Sequence, residues 1–172
     1  FASAGLPERR ITVWLPADYP ASAPYDVLYM HDGQMLFAAK DTWNGQSWHM
    51  DEHAQHLIDA RSVRPFLIVG VDNAGPERHA EFTPERPWRS LPESARTALR
   101  GAARGDTPVY SAALRSDRYL AFLAEELKPW IERRYAVDGG RAHTFLAGSS
   151  MGGLISLYAL VERPQVYGGA AC

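Results

Sequence analysis

The sequence predicts an α/β fold in three layers, a mostly parallel sheet with helices on both faces. Three observations carry this reading. Short apolar runs at Tyr25 to Met30, Phe66 to Val71 and His143 to Ala147 suit strands covered on both faces. Between them, Asp51 to Ala60 and Ser116 to Tyr135 place apolar residues at helical spacing. Polar, loop-forming residues follow three of the strands, at His31 to Gln34, at Asp72-Asn73 and around Ser150. Sheets of this type bind ligands beyond the carboxyl ends of their strands.

In order along the chain, Arg10 to Leu15 alternates in strand fashion and stops at Pro16. Tyr25 to Met30 is the second strand. Asp51 to Ala60 is a helix with Ala54, Leu57 and Ile58 on one face. Phe66 to Val71, five apolar residues and a glycine, is a buried strand. Residues 72–115 turn polar and contain five prolines, which predicts an irregular surface excursion that shapes the site. Ser116 to Tyr135 carries Leu120, Leu123, Leu127, Trp130 and Ile131 at helical spacing, with a kink or division expected at Pro129. Its acidic residues read as a solvated face. After the strand ending at Ala147 comes a helix with Leu154, Leu157, Tyr158 and Val161 as its buried stripe, ended by Pro164. Val166 to Ala171 begins another strand. Residues 1–172 read as one domain.

Composition bounds the function. The 172 residues are 46% hydrophobic and 22% charged, enough for a sizeable core. A net charge of −2 without a basic stripe argues against nucleic acid as a partner. No apolar run approaches the ~20 residues of a membrane-spanning helix. The lone cysteine, Cys172, excludes an internal disulfide. The chain begins at Phe1, so a removed leader stays open, and cytoplasmic and secreted or periplasmic locations are equally compatible. Oligomeric state is not legible.

Gly148-Ser149-Ser150-Met151-Gly152 matches G-x-S-x-G. In a chain of this length the pattern arises by chance roughly 5–10% of the time. The flanks decide: strand, turn and helix coincide as a nucleophile elbow requires. Small residues at 148 and 152 allow strand and helix to approach, leaving Ser150 at the apex. The Met151 N–H, at the helix start, can then face an oxyanion.

A competing pattern is His49-Met50-Asp51-Glu52-His53, a literal H-x-x-E-H, in which two histidines bind zinc and the glutamate acts as base. Glu125 or Glu126 is conceivable as a third ligand. The helix starts near Asp51, which leaves His49 ahead of the first turn and disfavours zinc. His53 and His56 are expected as partly exposed helix residues. Trp43, Trp48 and Trp88 lie in or beside the site loops; Trp43 and Trp48 are candidates for substrate contact, as are Asn73 and Arg78. Arg78 and Glu81 are also expected to pair with each other and fix their loop.

The ordered series Arg10-Ile11-Thr12-Val13-Trp14-Leu15-Pro16, Leu28-Tyr29-Met30-His31-Asp32-Gly33-Gln34, Phe66 to Asn73, Glu126-Leu127-Lys128-Pro129-Trp130-Ile131 and Gly148 to Gly153 resembles the putative-esterase branch of the α/β-hydrolases. That branch includes esterase D, enterochelin-type, feruloyl and acetyl-xylan esterases, and mycobacterial mycolyltransferases. The resemblance covers nearly the whole chain. It implies a serine carboxylic-ester hydrolase with Ser150 as nucleophile, no metal or organic cofactor, and a small-molecule or glycoside ester as substrate. It implies backbone oxyanion donors at Met151 and Gln34, with Gly33 giving the turn its freedom. His31 is then a structural hydrogen-bonding residue on the oxyanion side.

The family order is nucleophile, acid, histidine. After Ser150 the chain contains no His and no Asp, and Glu162 falls on the elbow helix. The expectation is a chain lacking its C-terminal part, with the acid and histidine supplied there and the 172 residues alone inactive. Three alternatives stand beside the hydrolase: an acyltransferase of the same fold, a zinc peptidase through His49, Glu52 and His53, and a non-catalytic binding module.

Overall fold

The structure, a computed structural model, describes residues 1–172 except for the side chain of Arg104. Its main sheet has five strands: β1 (Ile11–Trp14), β2 (Asp26–His31), β3 (Phe66–Val71), β6 (Thr144–Ala147) and β7 (Gly169–Ala171). They lie in the order β1-β3-β2-β6-β7. β1 is antiparallel to β3, and the other neighbours are parallel. This is the α/β-hydrolase type of sheet, as the strand pattern predicts.

Alternation along each strand sorts residues to two faces. Val27, Tyr29, Val69, Val71 and Leu146 point into the larger core, which Phe82, Tyr119, Phe122, Leu123 and Ile155 complete. Met30, Ile68 and Ala147 face the other way, against Leu36 and against Ala54 of helix α1 (Met50–Asp59). Of the residues expected on the inner face of α1, Ala54 is buried, whereas Leu57 is 41% exposed.

Residues 72–115 depart from the expected irregular excursion. They contain helices α2 (Arg78–Phe82), α3 (Glu85–Ser90) and α4 (Glu93–Arg100), then the hairpin strands β4 (Ala103–Arg104) and β5 (Thr107–Pro108). The prolines mostly start helices. Pro84 and Pro92 precede α3 and α4, and Pro87 stands inside the first turn of α3, where no N–H is needed. Nor does the segment merely cross the surface: Ala80, Glu81 and Phe82 are fully buried, and Trp88 packs on Tyr110.

The helix expected from Ser116 to Tyr135 does not divide at Pro129. It runs as α5 (Ser116–Ala121), a wide π turn over Phe122–Leu127, and α6 (Lys128–Glu132). Pro129 lies in the first turn of α6. The wider turn just before it relieves the clash a proline ring makes with an earlier carbonyl. The acids on this helix are paired as well as solvated. Asp117 accepts from the Tyr158 hydroxyl at 2.6 Å, and Glu126 accepts from Ser3 and Arg118.

Helix α7 (Met151–Glu162) buries a different face from the one its leucines suggest. Gly152, Gly153, Ile155, Ser156 and Ala159 are buried with Tyr158, while Leu154, Leu157 and Val161 are 43, 50 and 61% exposed. The helix is apolar nearly all round, so spacing alone cannot choose its inner face. The elbow chooses it, because only the glycine side lies close enough to the sheet. No helix among the described residues is long and apolar enough to cross a membrane.

Candidate active site

The carboxyl ends of β2, β3 and β6 bring together the three loops singled out in the sequence. Met30 pairs with Ala147 and with Gly70 in the parallel ladders, so the chain leaves β2 beside both neighbours. Gln34 follows Met30 by four residues, and Ser150 follows Ala147 by three.

Ser150 is exposed and has φ 57° and ψ −117°, a conformation costing about 1–3 kcal/mol for a non-glycine residue. The turn is sealed by backbone bonds from Gly152 N to Ser149 O (2.8 Å) and from Leu154 N to Ser150 O (3.0 Å). Gly148 is required by packing: a methyl there would lie 2.5 Å from the Gly152 carbonyl carbon. Met151 is the first residue of α7, so its N–H has no intrahelical acceptor. Gln34 sits in a 3-10 turn over Gly33–Met35. Among the described residues neither N–H is used in a backbone hydrogen bond.

The conformational freedom expected of Gly33 belongs instead to Asp32, which is left-handed at φ 59°. Gly33 is needed for close approach, since a methyl on it would come within 2.7 Å of the Gly70–Val71 peptide. Asp32 is 4% exposed and is the anchor of the site. Its carboxylate accepts two bonds from Arg78, Nε to Oδ1 at 2.6 Å and a terminal N–H to Oδ2 at 2.8 Å, and one from Asn73 Nδ2 at 2.7 Å. The Gln34 side chain closes the ring by accepting from Asn73 N at 3.2 Å. Asn73 and Arg78, two of the expected substrate contacts, are thus both engaged by Asp32.

The expected pair between Arg78 and Glu81 does not form. Arg78 turns to Asp32 and lies over the Phe82 ring at 4.9 Å. Glu81, fully buried, binds Arg9 at 2.7 and 3.0 Å and lies 3.5 Å from Arg115. The reason is the phase of α2: three residues apart, one carboxylate would have to leave the core to meet its neighbour. Arg9 and Asp32 had no signal beyond their place beside strands.

His31 is buried, with Nδ1 2.9 Å from the Tyr119 hydroxyl, the structural role expected of it. Burial pushes its imidazole down to about 4, against the pull of Asp32 and with a further push from Arg78. Asp72 titrates higher than an ordinary carboxyl because burial outweighs the Arg10 guanidinium 3.2 Å away.

A groove of about 650 Å³ runs beside Ser150, lined by Met30, Trp48, Met50, Ala147 and Cys172. Trp48 therefore stands where a substrate contact was expected. Trp43 does not: it is 85% exposed and outside that lining. His49, at φ 50°, precedes the first turn of α1 as expected, and its Nδ1 faces Glu52 Oε1 at 3.1 Å. His53 and His56 are exposed. Among the described residues no three His, Cys, Asp or Glu side chains converge as a metal-binding group.

Comparison with known proteins agrees with the fold and the arrangement of loops. The chain is 29% identical over 160 residues to the ferri-bacillibactin esterase BesA of Bacillus subtilis, covering 88% of this chain and 48% of BesA. It is 25% identical to the uncharacterized protein YbbA of the same organism, covering 93% of this chain and 54% of YbbA. The chain thus spans about half the length of the curated relatives it matches. Among solved structures, an IroE-like serine hydrolase from Shewanella oneidensis superposes with a TM-score of 0.67 at 27% identity, over 94% of this chain and 44% of that one. The BES protein of Bacillus cereus shares the fold, with a TM-score of 0.67 at 24% identity, over 94% and 56% of the two chains. The family model described as "Putative esterase" matches residues 6–172, and the chain belongs to that family.

Proposed function

We propose that the protein is a serine carboxylic-ester hydrolase that works through an acyl-enzyme on Ser150. Ser150 Oγ attacks the ester carbonyl, its proton passing to a base, and the oxyanion is held by the Met151 and Gln34 N–H groups. The alcohol leaves with a proton, and water then releases the acid and restores the serine. On this reading the histidine and acid that activate Ser150 come from outside these 172 residues. Among the described residues no histidine hydrogen-bonds to Ser150, and His31 and His143 are engaged with Tyr119 and Asp26.

The observation that carries the reading is the backbone of Ser150. A strained φ of 57° at the apex of a strand-turn-helix, with two glycines packed beneath it, supports a nucleophile elbow over an ordinary loop. The groove along Trp48 and Met50 would take one part of the ester. Ferri-bacillibactin, for which the relative BesA is named, is the first natural ester to assay. The test is Ser150→Ala in the full chain, assayed on p-nitrophenyl acetate. We expect a loss of at least about 10³-fold in kcat. Wild-type turnover by the variant would end the proposal.

A further inference from the structure

Asp32 places a carboxylate where an esterase of this design can least tolerate one. A methyl on Gly152 would lie 3.2 Å from Asp32 Oδ2, so the charge stands against the first turn of α7, next to Met151. Along the chain it is two residues from Gln34. Both N–H groups assigned to the oxyanion therefore adjoin a buried acid, whose negative charge opposes the negative charge developing in the transition state. Asp32 also holds the loop: it adopts the left-handed conformation that aspartate tolerates, and it gathers Asn73 and Arg78.

We propose that Arg78 is a positioning residue that balances the charge of Asp32, leaving the oxyanion loop fixed by a carboxylate yet electrically neutral. This rests on the assignment of Ser150 as nucleophile. The geometry suits a fixed counter-charge better than a substrate-binding arm. Two of the guanidinium nitrogens are spent on Asp32, and the cation is seated on Phe82. Its helix is pinned one turn later by Glu81 to Arg9, both fully or nearly fully buried. A side chain held at both ends of its helix does not swing out to meet a ligand.

The test uses the full chain and an uncharged ester, p-nitrophenyl acetate, so that a substrate charge plays no part. Arg78→Met is expected to lower kcat by about 100-fold with KM changed less than about threefold. Asp32→Asn/Arg78→Met, which removes both charges, is expected to recover at least 10-fold of that loss, although every bond of the pair is gone. Arg78→Lys, which keeps the charge and loses the two-pronged contact, is expected to stay within about 10-fold of wild type. A double variant as poor as Arg78→Met, or a lysine variant as poor as the methionine one, would show a purely structural pair and overturn the proposal. A loss appearing in KM would overturn it in favour of substrate binding. Should Arg78→Met not fold, the double variant decides alone: activity within about 10-fold of wild type supports the proposal, and loss of activity overturns it. Ser150→Ala is run in parallel, and its retention of activity would remove the nucleophile assignment itself, a result separate from any outcome at residue 78.

Discussion

At the scale of single residues the site depends on a few positions with no spare room. Gly148→Ala would press a methyl to 2.5 Å from the backbone of Gly152, and two backbones cannot yield as a flexible side chain would. Overpacking of this kind costs about 1–3 kcal/mol. We expect that loss in urea unfolding of the full chain, together with a fall in kcat as the elbow opens. His31 gives a second prediction. Its imidazole is neutral in the fold, titrating near 4, and protonates at about 6.5 when unfolded. Between those values the unfolded state binds more protons, so stability rises with pH and is lost as pH falls from about 6.5 to 4. The shift corresponds to about 3 kcal/mol. Unfolding free energies measured across that range should show the slope in wild type and its absence in His31→Gln. An equal slope in both would place the acid sensitivity elsewhere.

At the scale of elements, what the sequence made legible follows from period and sharp punctuation. Strands β2 and β3 are visible because six-residue apolar runs end in polar loops, and the elbow because strand, G-x-S-x-G and helix coincide. The inner face of α7 was not visible. Leu154, Leu157 and Val161 make as good a stripe as Ile155 and Ala159, and only the contact of Gly148 with Gly152 settles the rotation. The prolines of residues 72–115 misled for a related reason, since proline breaks a helix inside but starts one at its first turn. The π turn before Pro129 has no composition of its own to betray it. The face assignment predicts that Ile155→Ala, fully buried, costs about 2–5 kcal/mol in chemical denaturation. A loss below about 1 kcal/mol would mean that α7 is turned otherwise.

At the scale of the molecule, α2 couples the site to the start of the chain. Arg78 reaches the oxyanion loop, and Glu81 reaches Arg9, which also donates to the Asp72 carbonyl. None of this was legible, because Arg9, Glu81 and Asp32 lie far apart in sequence and meet only through sheet order. Residues adjacent in the motifs, by contrast, were found by reading along the chain. Removing one partner of a buried pair leaves an uncompensated charge, at about 3–5 kcal/mol. Arg9→Met should therefore destabilise the protein by about that much, while Arg9→Met/Glu81→Leu recovers most of it. Arg115, 3.5 Å from Glu81, sets the size of the remainder.

The central claim is that Ser150 is the nucleophile, and covalent labelling tests it most directly. The full chain, treated with a fluorophosphonate and mapped by peptide mass spectrometry, should carry one adduct, on the peptide containing Ser150. Labelling and esterase activity should disappear together in Ser150→Ala. An active protein whose adduct forms on another residue, or whose Ser150→Ala variant labels and turns over as wild type does, would contradict the account.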